Sequence, residues 1–195
     1  MWRPPDGHEL LYFDWDSGDL ELYGVRPDNT GRHLVDDLGV SQQLEFAPML
    51  GGDGGFLVYA ADAEDSWYHN FVLDLGTGHD RELSLGPADH HELHGVLSPD
   101  GTKLLFHDID ASASTVQEML APVDGSARAI PIGPPVPIVN GSADLDQEFS
   151  PDGRTILISE GQDNAVRIVD TAAGGIGRDA GWSTGDLPGW QRTAP

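Results

Sequence analysis

The segment Asp89-His90-His91-Glu92-Leu93-His94 gathers three imidazoles and two carboxylates. These are side chains that bind zinc and similar ions. The spacing is not His-Glu-x-x-His, and side chains alternate sides along an extended segment, so His91 and His94 point apart. His91, Glu92 and His94 are the candidate metal ligands; the plainer role for the segment is a polar loop entering an inner strand. Asp14-Trp15-Asp16-Ser17-Gly18-Asp19 invites comparison with a calcium loop, which needs glycine sixth and glutamate twelfth. Here Gly18 is fifth and Val25 twelfth, so the segment reads as a hairpin turn. Nucleophilic catalysis finds no support: there is no cysteine and no Gly-x-Ser-x-Gly elbow, and Ser98, Ser126, Ser142 and Ser150 fall in turns. Among 33 acidic residues, no pair stands out as a glycosidase couple. No phosphate loop or dinucleotide fingerprint is present, and no cofactor is expected.

The formal net charge is −23, with only 10 lysines and arginines. Nucleic acid is therefore not an expected partner, because neutralising phosphates needs basic side chains. Such a charge suits a cationic partner. No apolar run approaches the length of a membrane-spanning helix, so no membrane insertion is expected. Met1-Trp2-Arg3-Pro4-Pro5-Asp6 does not read as a secretory leader.

The elements that must position these residues repeat. Ser150-Pro151-Asp152-Gly153-Arg154-Thr155-Ile156-Leu157-Ile158 reads as a tight turn feeding an apolar strand. The phrase recurs at Ser98-Pro99-Asp100-Gly101. It recurs one residue longer at Arg3-Pro4-Pro5-Asp6-Gly7, and in altered form at Gly51-Gly52-Asp53-Gly54. The turn aspartates Asp6, Asp53, Asp100 and Asp152 are spaced by 47, 47 and 52 residues. Trp190 lies 188 residues after Trp2, four times 47, so the chain starts and stops at nearly the same phase.

Each repeat carries four strand signals, A to D. Trp2 marks the first A strand. The B strands are expected at 9–13, 55–60, 103–106 and 155–158, and the C strands at 20–25, 68–73, 116–120 and 165–169. The D strands are expected at 32–35, 81–85 and 129–132, and near Trp182. Residues 114–120 contain good helix formers behind a Ser-x-x-Gln start, but the register of the other repeats makes them strand C. Gly133 to Ala143, with three prolines, reads as a stiff extended insert.

Four strands in each unit of this length are the mark of a β-propeller blade. The Trp/Phe-x-Pro-Asp-Gly phrase before an apolar strand resembles the repeats of TolB-like β-propellers, and Pro188-Gly189-Trp190-Gln191-Arg192 resembles bacterial members of that group. The resemblance implies an all-β propeller domain over 1–195, with about four four-stranded antiparallel blades near 1–47, 48–94, 95–146 and 147–195. Because the family closes rings of six or more blades, the expected form is an open arc, able to self-associate through its uncovered blade edges. The resemblance also implies an extracytoplasmic, periplasmic setting.

In a propeller the B–C and D–A loops share one face. That face gathers Asp14, Asp16, Asp62, Asp65, His90, His91, His94, Asp108, Asp110, Asp144 and Asp146, the candidate partner-binding residues. The leading expectation is a non-catalytic scaffold for a protein, peptide or ligand, with a basic partner favoured by charge. The alternatives are a propeller accompanying a prolyl-oligopeptidase-like serine hydrolase, and a metal-dependent propeller hydrolase.

Overall fold

Strands β1 (Leu10–Asp16), β2 (Asp19–Val25) and β3 (His33–Gly39) pair in that order as an antiparallel sheet. The second sheet runs β4 (Met49–Leu50), β5 (Phe56–Asp62), β6 (Tyr68–Asp74) and β7 (His79–Glu82). The third runs β8 (His91–Leu97), β9 (Lys103–Asp110), β10 (Thr115–Pro122) and β11 (Ile130–Pro131), with β12 (Val136–Pro137) also on β10. The fourth runs β13 (Leu145–Phe149), β14 (Thr155–Glu160), β15 (Ala165–Asp170) and β16 (Arg178–Ser183). Each sheet is an open meander with two edges. The computed structural model describes the chain outside residues 2, 4–6, 17–18, 40–48, 52, 63–65, 84, 140–144, 161–164, 174, 176 and 184–195, and outside the side chains of 15, 16, 19 and 39. Among the described residues every regular element is a strand.

The turns explain why these sequences fold as meanders. In the third sheet, Ser98 Oγ donates to Asp100 Oδ1 at 2.7 Å and accepts from the Lys103 amide at 2.9 Å. Asp100 Oδ1 also takes the Thr102 amide at 3.1 Å, and the Gly101 amide donates to the Ser98 carbonyl at 2.8 Å. Gly101 has φ of 70°, a left-handed position that glycine adopts without strain. The fourth sheet repeats the network with Ser150, Asp152, Gly153 and Thr155. The turns after the third strands use another aspartate device. Asp74 Oδ1 accepts the Gly76 and Thr77 amides, and Asp124 and Asp170 accept amides two residues on.

Residues 115–122 form strand β10, as the repeat register required against local helix preference. The fourth strand of the second sheet begins at His79, before the expected 81–85, because Gly78 closes the turn onto the Asp74 carbonyl at 2.9 Å and pairing resumes at once. In the described part of the insert after Gly133, Val136 and Pro137 form the short β12 pairing. The sequence-drawn borders at 94/95 and 146/147 fall inside β8 and β13, since the repeat was phased on its turn and not on the start of its first strand.

The chain divides into two compact units, Met1–Leu83 and Ser84–Pro195. In the first, Leu11, Leu20, Leu22 and Leu38 pack on Leu57, Tyr59, Ala61, Phe71 and Leu73. In the second, Leu105, Leu120 and Ile132 of the third sheet pack on Phe149, Ile156, Ile158 and Val169 of the fourth. Within each unit the Asp-Gly turns lie side by side. Arg3 Nε donates to the Gly54 carbonyl at 3.0 Å, and a Cβ on Gly153 would stand 3.5 Å from Pro99 Cδ. Asp6 lies outside the described residues, as do Trp2 and Trp190.

Candidate functional site

The strand ends opposite those turns are acidic. The strand that follows each Asp-Gly turn finishes there on a carboxylate: Asp16, Asp62, Asp110 and Glu160. These strand ends give each sheet an acidic rim.

In the third sheet the rim becomes a built site. Glu92 on β8 stands opposite Asp108 on β9, which puts both carboxylates on one face. Glu92 is 1% exposed, and its Oε1 accepts the Gly86 amide at 2.7 Å and the Leu85 amide at 3.2 Å. Gly86 leaves room for this approach: a Cβ there would stand 3.2 Å from Glu92 Oε1 and 3.3 Å from Asp108 Oδ1. The Pro87–His90 turn then folds the His90 ring over the pair. Its Nδ1 lies 3.0 Å from both oxygens of Asp108, and its Nε2 lies 3.6 Å from Asp110 Oδ2. Asp110 itself is fixed by Ser112 Oγ and the Ala113 amide, which hold its carboxyl below the usual range.

The charges in this cluster are coupled. Burial works against a charged His90, but the hydrogen bond and charge of Asp108, then the charges of Asp110 and Asp89, outweigh it and raise its pKa. Burial pushes the Asp108 carboxyl up despite His90. Both shifts favour the protonated form, which charges His90 and neutralises Asp108. The symmetric approach of Nδ1 to both Asp108 oxygens is the geometry of an imidazolium on a carboxylate, so the ion pair is the state that fits.

The remaining candidates are spread over the two units. Asp14 on β1 is exposed and pairs with Arg32 Nη2 at 3.2 Å; Arg32 also donates to Tyr12 and lies over the Tyr23 ring. Asp62 closes β5 half-buried, and Asp146 sits on β13 opposite Ser159. His91 opens β8 opposite Ile109. His94 has φ of 54° where the β8–β9 register shifts, and its ring lies 4.7 Å from that of His107, tilted by 40°. Asp16 ends β1 with its side chain outside the described part, and Asp65 and Asp144 lie outside the described residues. His91, Glu92 and His94 do not converge: strand alternation separates them, Glu92 is bound to backbone amides, and no group of three His, Asp or Glu able to hold a metal is found among the described residues. Sequence reading missed the His107–Glu118 pair at 2.8 Å, because His107 lies just past the B strand expected at 103–106 and only the longer β9 sets it opposite Glu118.

With the geometry described, comparison with solved structures identifies the architecture. The chain superposes on TolB from Acinetobacter baumannii with a TM-score of 0.59 at 16% identity, covering 90% of this chain and 42% of that one. The fold is that of a β-propeller. Dipeptidyl peptidase 4 from Porphyromonas gingivalis matches with a TM-score of 0.63 at 14% identity, over 86% of this chain and 23% of that one. A putative TolB from Agrobacterium tumefaciens matches with a TM-score of 0.56 at 18% identity, over 87% and 60%. The chain thus spans less than two thirds of each of these proteins. No protein-family model and no curated protein sequence matches. At these identities the likeness is one of propeller fold, shared by TolB proteins and peptidases alike.

Proposed function

We propose that this chain is a non-catalytic propeller scaffold whose acidic strand-end rim binds a basic protein or peptide segment. The observation that carries the reading is the His90 ring held between Asp108 and Asp110. The rim already holds one planar nitrogen cation, and an arginine or lysine side chain presents the same chemistry to the neighbouring carboxylates. An extracytoplasmic setting, as the resemblance implies, belongs to the same proposal. A second reading, a propeller accompanying a peptidase, draws support from the likeness to dipeptidyl peptidase 4.

The test is titration of the chain with Arg-rich, Lys-rich and Glu-rich peptides of equal length. The expected result is binding of the basic peptides alone, weakened by salt and by the Asp108→Asn/Asp110→Asn pair. Equal binding of acidic peptides, or no response to those substitutions, overturns the proposal. Cleavage of a peptide by the isolated chain would overturn its non-catalytic part.

A further inference from the structure

Between the third and fourth sheets the packing changes character along the strands. Near the Asp-Gly turns it is apolar, with Leu105 and Leu120 against Phe149, Ile156 and Ile158. Towards the acidic rim the same faces carry His107, Glu118, Gln147 and Glu160. Glu118 is 2% exposed and His107 5%. His107 Nε2 lies 2.8 Å from Glu118 Oε1, yet neither Glu118 oxygen is aligned for a hydrogen bond.

The groups around the pair do not neutralise Glu118. From β8, the His94 ring lies tilted against that of His107. From β13, Gln147 gives its Nε2 to the His94 carbonyl at 2.6 Å and leaves its buried Oε1 without a donor, while Asp146 adds negative charge. From β14 and β15, Glu160 and Arg167 form a two-bond pair at 2.7 and 2.6 Å, which directs that guanidinium to Glu160. An ionised Glu118 here would be a desolvated anion without hydrogen-bond donors, the costliest state for a buried carboxyl.

We infer that Glu118 is held as its neutral acid beside His107 and that its proton latches the third sheet to the fourth. Its loss places a bare negative charge in the inter-sheet layer, near Glu160 and Asp146. Burial, more than any neighbour, raises the Glu118 carboxyl above its ordinary range, and His107 only partly opposes it. A folded-state value raised in this way contributes stability that is complete below the ordinary glutamate range. That stability is lost as pH rises through the raised value. The latch therefore loosens on the alkaline side.

The test compares thermal unfolding of the whole chain and of Glu118→Gln from about pH 4 to about pH 9. The amide keeps the shape and removes the titration. The expected result is a melting midpoint that falls towards high pH in the parent and more shallowly in the variant. Amide exchange at Ile156 to Ile158, corrected for its intrinsic pH dependence, should quicken by about tenfold for each unit by which the Glu118 titration is displaced. Superimposable pH profiles for parent and variant overturn the inference. Should Glu118→Gln fail to fold, carbon NMR of the parent chain decides: a Glu118 carboxyl titrating in the ordinary glutamate range overturns the latch, and one displaced upward supports it.

Discussion

Arg3 and Gly54 join the turns of the first two sheets. The guanidinium Nε donates to the Gly54 carbonyl at 3.0 Å, while Nη1 of the same side chain pairs with Glu9 Oε2 at 2.9 Å. One planar fork thus ties its own sheet's turn to the next one. Arg3→Ala should lower the stability of the chain by about 0.5–1.5 kcal/mol, the usual worth of a half-exposed hydrogen-bonded pair. Arg3→Lys should recover less than half of that loss, because an ammonium cannot serve both partners in one plane. Denaturant unfolding of the three proteins measures both effects.

The serines of the two Ser-Pro-Asp-Gly turns should matter more than exposed turn residues usually do. Ser98 and Ser150 are 4% and 5% exposed, and each bridges its aspartate to the first amide of the following strand. Ser150→Ala should cost about 1 kcal/mol. The hydrogen bonds from Ser98 and Ser150 are the largest cause holding the carboxyls of Asp100 and Asp152 below the usual range. A lowered folded-state value contributes stability present above the ordinary aspartate range and lost as pH falls through the lowered value. The difference between parent and Ser150→Ala should therefore shrink in strong acid, which unfolding midpoints at successively lower pH would show.

Local chemistry made the fold readable before any coordinates. A Pro-Asp-Gly turn sets two dihedrals and one reversal, and it recurs in three repeats and as Asp-Gly alone in the second, so the register of the other three repeats could be transferred to the ambiguous 114–120. Where the repeat was degenerate the reading slipped: β7 starts at His79 because of a turn hydrogen bond that composition does not reveal. The rim residues Asp108 and Asp110 could be sorted to one end of their strand by topology. That His90 would fold back over Asp108 could not, since it depends on the Gly86–His90 loop conformation. The burial of Glu118 was likewise invisible, because it depends on which face of β10 meets the fourth sheet.

The inter-sheet core of the second unit should respond as a close-packed interior. Leu105 and Ile156 are 0% exposed and face one another's sheets. Ile156→Ala should cost about 2–5 kcal/mol through lost burial and the cavity left behind. Ile156→Val should cost about 0.5–1.5 kcal/mol. A loss at Ile156→Ala no larger than that at Ile156→Val would place the core elsewhere.

The altered turn of the second repeat has a steric cause. Gly51 stands where the third and fourth repeats have Ser98 and Ser150, and its amide makes the same bond, to the Phe56 carbonyl at 2.9 Å. A Cβ on Gly51 would lie 2.3 Å from the Phe56 ring, a distance no packed structure accepts. Phe56 in turn stands where the other repeats have Lys103 and Thr155, neither of which reaches back over the turn serine in this way. Glycine and phenylalanine here are one exchange and not two. Gly51→Ser alone should therefore destabilise the chain by about 1–3 kcal/mol through overpacking. Phe56→Thr alone should also destabilise it, by removing a partly buried ring. Combined, the two changes rebuild the Ser-x-Asp-Gly network seen at Ser150, with Asp53 already accepting the Gly55 amide at 2.8 Å as Asp152 accepts that of Arg154. The double variant should be more stable than the sum of the single losses predicts, with a coupling of about 0.5–3 kcal/mol. Strict additivity in a double-mutant cycle would show that the ring and the turn are independent.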